Sequence, residues 1–189
     1  MSDIKIPAGA KKVFSGIIFD VYQWPQKMYD GAIETFEMLK RADTVSVLAI
    51  IGDNKVLLLE QTQPNLPKHF SLPAGRVEKN EDPLEAVQRE LLEETGYSFK
   101  NWSLKSVDQI TPKIEWLSYF YVATDLVSIG QQNLDNGEKI SVNTVSYQQI
   151  VSLIKSGQLN WCQPIVRLLL KNKDQLSDIL ESSEFKEGN

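Results

Sequence analysis

The sequence predicts an α+β fold, with a mixed central sheet held between helices and a small N-terminal antiparallel β subdomain in front of it. Three observations carry this. Residues 44–51 (TVSVLAII) and 55–63 (KVLLLEQTQ) are two apolar β runs separated by Asp53-Asn54, a central hairpin. Residues 82–95 carry a helix with start and stop signals. Residues 11–41 alternate apolar and polar positions around turn residues.

Taken in order, Val13, Ile17, Phe19 and Val21, then Ile33, Phe36 and Leu39, flank WPQKMYDG, where Pro25 and Asp30-Gly31 turn the chain. This meander is a subdomain over residues 1–42, too small to be stable by itself. The remainder, 43–189, is the main domain. After the hairpin, Ser71–Gly75 ends a short extended piece in a turn. Asp82 is an N-cap, Pro83 suits the first helical position and Glu85 completes a capping-box pattern. Leu84, Val87, Leu91 and Thr95 recur at helical spacing, and Gly96 stops the helix. Residues 116–124 read as a buried strand, the polar 125–139 as a loop and Ile140–Val145 as a short strand. Ser146-x-x-Gln149 opens a second helix ending near Gly157, and a third is expected from Pro164 to Glu181.

Composition narrows function. Twenty basic against 25 acidic residues leave a net charge of −5, without the basic stripe that nucleic-acid binding requires. A single Cys and a single His exclude an internal disulfide and a Cys/His zinc site. The longest apolar stretch, Val45–Ile51, is too short to span a membrane, and the N-terminus lacks the apolar core of a signal peptide. A cytoplasmic protein is expected.

The acidity is concentrated. Between Gly75 and Tyr97 seven acids face three bases. Glu90, Glu93 and Glu94 stand at i, i+3 and i+4, on one helix face. At about 6 Å and an effective dielectric of about 20, each like-charge pair costs about 3 kcal/mol. A cation among the oxygens removes that cost. Carboxylates without His or Cys select Mg²⁺ or Mn²⁺.

The spacing G-x5-E-x7-REUxEExGU, with U apolar, is met by Gly75, Glu81, Arg89, Glu90, Leu91, Glu93, Glu94, Gly96 and Tyr97. It resembles the signature box of the Nudix hydrolases. The resemblance implies the Nudix fold, an α/β/α sandwich, and hydrolysis of a phosphoanhydride bond in a nucleoside diphosphate linked to another group. It implies that Glu90 and Glu94 are metal ligands. Glu93 is a further ligand or the activator of water, and the Ala74 carbonyl completes the coordination. Arg89 is expected to orient a carboxylate, Gly75 to allow a sharp turn, and Glu81 to favour the positive end of the helix.

Beyond the box, the meander, the TFEMLKR segment, SLPAGRVE, and Pro112 placed 15 residues after Tyr97 look like the ADP-ribose and nucleoside diphosphate sugar pyrophosphatase branch. That likeness implies a homodimer with exchanged N-terminal subdomains. It implies base stacking on Phe36 with Phe19 nearby, Glu37 at a base edge and Arg41 at phosphate. In the segment 135–142 it makes Glu138 the general base or a metal-proximal carboxylate, with Glu93 as rival base because Asn136 replaces one acid of the relatives. Two further departures are Gln63, where relatives carry a phosphate-binding arginine, and Ser71, where they carry a glutamate ligand. Arg76, Lys68 or Lys113 are candidates to compensate. Trp24 and Trp116 are candidate sugar or base contacts, and His69 is read as structural. The expected substrates are ADP-ribose or other nucleoside diphosphate sugars. A hydrolase of nucleoside triphosphates or dinucleoside polyphosphates is the alternative, and a Nudix-fold binding module without turnover the third.

Overall fold

The structure is a computed structural model and describes residues 5–52, 55–64 and 66–159. The expected turn at Asp53-Asn54 and the expected third helix lie outside the described residues.

The N-terminal strands are β1 (Lys11–Ser15), β2 (Asp20–Lys27) and β3 (Ile33–Lys40), an antiparallel meander. The central strands are β4 (Thr44–Ile51) and β5 (Lys55–Gln63), followed by β6 (Leu66–Ser71) and β7 (Ala74–Arg76). Helix α1 (Pro83–Thr95) leads to β8 (Tyr97–Gln109), β9 (Ile114–Glu115), β10 (Leu117–Ile129), β11 (Lys139–Ser146) and α2 (Tyr147–Lys155).

The main sheet runs β11-β5-β4-β10-β8, with β6 added on β5 and β7 on β4. Only β4 and β10 pair in parallel in that sheet, which makes it mixed. β4 and β5 share just Ile50↔Val56 and Ile51↔Lys55 before diverging to different partners. The short β9 joins the edge of the meander beside β3, so the N-terminal sheet borrows Ile114 and Glu115 from the main chain segment.

Period-two alternation divides the core between the two helices. Val45, Val47 and Ala49 of β4 pack with Ala86, Val87 and Leu91 of α1. Leu48 and Ile50 of the same strand pack with Tyr147 and Ile150 of α2. Asp82 Oδ1 accepts from the Leu84 amide to cap α1, and Gly96, at φ 76°, ends it. Ser146 and Gln149 form the capping box of α2.

Two expectations are corrected. Residues 125–139 are not all loop, because β10 continues to Ile129 along β8. β8 itself, the longest partner of β10, is absent from the sequence reading. Its Ser, Lys and Asn content hides the alternation, and bulges in its pairing with β10 shift the period. β6 is a similar case: Pro67, Lys68 and His69 mask a strand at the sheet margin.

Candidate active site

Helix α1 buries Ala86, Val87 and Leu91 against the sheet, and this fixes where its glutamates go. Glu94 is pulled almost wholly inside, 5% exposed. Its Oε2 accepts a 2.9 Å hydrogen bond from the Ala74 amide on β7. Burial holds its pKa well above the usual carboxylate range, with Glu90, Glu138 and Glu93 adding repulsion. Glu90 is also raised, again chiefly by burial.

Gly75 sits directly against Glu90. A Cβ on it would lie 1.9 Å from the Glu90 carboxyl carbon. The glycine is required for close approach of strand and helix, and not for the sharp turn expected from sequence. β7 pairs with β4 at this point, Val45↔Gly75 and Ser46↔Ala74, so the core sheet sets the position of both.

Arg89 organises the acids. Its Nε and Nη2 donate to the two oxygens of Glu81 at 2.8 and 3.0 Å. Nη1 donates to Glu90 Oε1 at 2.9 Å and Glu93 Oε2 at 3.0 Å, and Nη2 also reaches the Arg76 carbonyl. Glu81 is thus the fork partner of Arg89, beyond its expected helix-end role, and Arg89 lowers its pKa.

Glu138 faces this ridge. Burial raises its pKa first, then repulsion from Asp135 and Glu93, while its amide donates to Asp135 O at 3.0 Å. The segment before it is strapped to the end of α1. Gly130 N donates to Gly96 O (2.7 Å), Asn133 N to Glu93 O (2.9 Å), and Gln132 Nε2 to Glu94 O (2.6 Å) and Ile140 O (3.3 Å). These bonds satisfy carbonyls that a helix end leaves unpaired. Gln132 had no signal in the sequence, because its partners are backbone atoms distant in the chain.

The expected substrate residues divide into two groups. The Arg41 guanidinium stands 5.6 Å from the Phe19 ring and 4.4 Å from the Trp116 ring. Burial and the nearby Arg76 lower its pKa, and its Nε is buried without a hydrogen-bond partner. Phe36 belongs to another cluster, 5.2 Å from Trp24 and under the Lys113 ammonium, while Glu37 accepts from Gln23. Arg76 is half-exposed beside Glu78. A cavity of about 390 Å³ is lined by Arg41, Trp116, Lys40, Gln109 and Glu78 among others. Of the departures, Ser71 is buried and accepts from Gln61 Nε2 at 2.6 Å, and Lys68 pairs with Glu60. His69 approaches the Pro67 carbonyl through Nδ1.

The donor set fits a hard divalent ion. Glu94 is buried and Glu90 and Glu138 are partly buried, burial disfavours the charged form of all three, and they offer only oxygen. Among the described residues no three acidic, His or Cys side chains already form an ion-sized cage. Glu90 and Glu93 are instead engaged by Arg89.

The NUDIX domain model matches residues 40–162. The ADP-ribose pyrophosphatase of Bacillus subtilis (strain 168) is 27% identical over 152 residues, 79% of this chain and 82% of the relative. The methanol dehydrogenase activator of Bacillus methanolicus has the same identity and coverage. A crystal structure of an ADP compounds hydrolase superposes with a TM-score of 0.70 at 16% identity, covering 87% of this chain and 93% of that one.

Proposed function

The chain belongs to the Nudix family, and from that premise we propose that it is a metal-dependent pyrophosphatase of ADP-ribose or other nucleoside diphosphate sugars. One observation carries the reading: β7 adjoins both the acidic ridge and Arg41, a cation with no ion-pair partner among the described residues. Gly75 contacts Glu90, and the next residue, Arg76, is close enough to perturb Arg41. A diphosphate bridges two such ends, with metal ions at one and guanidinium groups at the other. The similarity to an ADP-ribose pyrophosphatase over most of both chains supports this substrate class.

In this reading Glu90, Glu94 and Glu93, with the Ala74 carbonyl, hold Mg²⁺, for which Mn²⁺ substitutes. The ion, when bound, neutralises phosphate oxygens and makes hydroxide available from water. Glu138 accepts the proton of the attacking water, with Glu93 as the rival base. The water oxygen bonds to one phosphorus, and the bridging oxygen leaves with the other phosphate and takes up a proton. Arg89 holds the carboxylates in place. Arg41 and Arg76 contact phosphate, and Phe19, Phe36 and Glu37 are contacts for the nucleoside.

Residues 1–42 act as the dimerisation and base-stacking subdomain and 43–189 as the catalytic domain. A homodimer is supported by the apolar residues the meander leaves exposed, including Phe14, Ile17 (97% exposed), Ile18 and Ile33. Light scattering of the purified protein tests that.

The function is tested by incubation with Mg²⁺ and ADP-ribose, GDP-mannose, UDP-glucose, CoA or nucleoside triphosphates, with products identified. AMP and ribose 5-phosphate from ADP-ribose are expected. Preferential release of pyrophosphate or phosphate from triphosphates would favour the house-cleaning alternative. Ligand binding without any product would favour a binding module.

A further inference from the structure

We propose that Trp116 is the positioning residue of Arg41, holding its guanidinium flat for a substrate phosphate and so setting substrate affinity. The proposal rests on the diphosphate reading above. Among the described residues Arg41 has no ion-pair partner, its Nε has no acceptor, and Arg76 repels it. A partly buried cation in that setting needs another source of attraction. The Trp116 ring supplies it at 4.4 Å, and indole is the strongest of the aromatic faces for a cation.

The ring is itself held on the same strand ends that position Arg41. Trp116 Nε1 donates to Thr44 Oγ1 at 3.0 Å, and the next residue, Leu117, donates its amide to Asp43 Oδ1 at 2.8 Å. The residue before it, Glu115, accepts the Arg41 amide at 3.3 Å. Ring and guanidinium therefore share one backbone frame. Phe19, at 5.6 Å and from the meander, is the weaker contact. Arg41 and Trp116 both line the 390 Å³ cavity, so the pair stands at a space a ligand can enter. A lysine in place of Arg41 would not reproduce this, because an ammonium lacks the planar fork that can lie against a ring.

The test uses the ¹⁵N–¹H signal of the Arg41 side-chain Nε–H, assigned by its loss in Arg41→Lys, and steady-state kinetics with ADP-ribose and Mg²⁺. Trp116→Leu should move that signal toward the position of a solvated arginine in the ligand-free protein. It should raise KM about ten-fold and leave kcat within about two-fold, the pattern of lost uniform binding. Trp116→Phe should fall between, and Trp116→Leu should add nothing in an Arg41→Ala background. An Nε–H signal indifferent to Trp116 replacement overturns the proposal, whether or not ADP-ribose is cleaved. Additive effects in the double variant, or a kcat loss tracking a fall in Tm, overturn it too. Wild-type protein that fails to cleave ADP-ribose while the signal still depends on Trp116 overturns the substrate reading and leaves the positioning role standing.

Discussion

Gly75→Ala tests the arrangement most directly. The new Cβ would meet the Glu90 carboxyl carbon at 1.9 Å and its oxygens at 2.1 and 2.2 Å, against the 3.4 Å of ordinary contact. The carboxylate must move by about 1.5 Å, the difference between 1.9 and 3.4 Å. Glu90 is the end of a flexible side chain, so the backbone need not break. It is held, however, by Arg89 Nη1 at 2.9 Å, and that bond is lost. A charge-assisted hydrogen bond contributes about 1.5–3 kcal/mol, less at a site partly open to water. A cost near 1.5 kcal/mol lowers Tm by about 3–6 °C in a chain of this size. The catalytic loss should be larger, about 100-fold in kcat, because a ligand misplaced by about 1 Å has that effect. Kinetics with ADP-ribose, calorimetry with Mg²⁺ and thermal unfolding are the assays. Glu90→Ala by itself loses the same bond to Arg89 and removes the group that clashes, so adding Gly75→Ala to it should lower Tm no further and restore no activity. Activity within two-fold of wild type in Gly75→Ala, or a further fall in Tm when Gly75→Ala is added to Glu90→Ala, refutes the reasoning.

The other predictions concern the ridge and its strap. Glu94→Gln should lower turnover by about a thousand-fold or more, with Tm in chelator unchanged or higher. The amide oxygen still accepts from Ala74 N, and burial no longer opposes a charge. Near-wild-type activity there would sink the ligand assignment. Gln132→Ala removes both hydrogen bonds from the Gln132 amide, each of about 1 kcal/mol. It should reduce kcat about ten-fold while Mg²⁺ affinity stays unchanged, and an unaltered kcat means the strap does not position Glu138. Raised pKa values at Glu90, Glu94 and Glu138 stabilise the metal-free protein while these groups are protonated. That stability is lost as pH rises through the raised values. Mg²⁺ competes with those protons, so the Tm gain over chelator should grow from about pH 5 to about pH 8. A gain that is flat or shrinks across that range contradicts the assignment.

What could be read from the chain follows from the range of the interactions. The α1 caps, its apolar spacing and the glutamate ridge are local, and Asp82, Leu91 and Gly96 behave as their spacing indicates. The central strands were legible because Val47 to Ile50 are apolar and buried on both faces. β8 was not, because most of its residues are polar or exposed and its pattern is broken by bulges. The roles of Gly75, Gln132 and Trp116 depend on contacts made only after β7, the 130–133 segment and β4 come together. A glycine needed for clearance looks the same in sequence as one needed for a turn.

The strap has a kinetic consequence. Asn133 is fixed to α1 through Glu93 O, and Lys139 is fixed to β5 opposite Thr62. Between these anchors lie only residues 134–138, ending at Glu138. A tether this short explores its conformations in nanoseconds to microseconds, whereas typical turnover takes about a millisecond to a second. On the proposed mechanism Glu138 therefore samples its reactive positions many times within each catalytic cycle, and its motion does not gate turnover. Relaxation dispersion at the Glu138 amide should be flat on the timescale of kcat, leaving the chemical step or product departure to limit the rate.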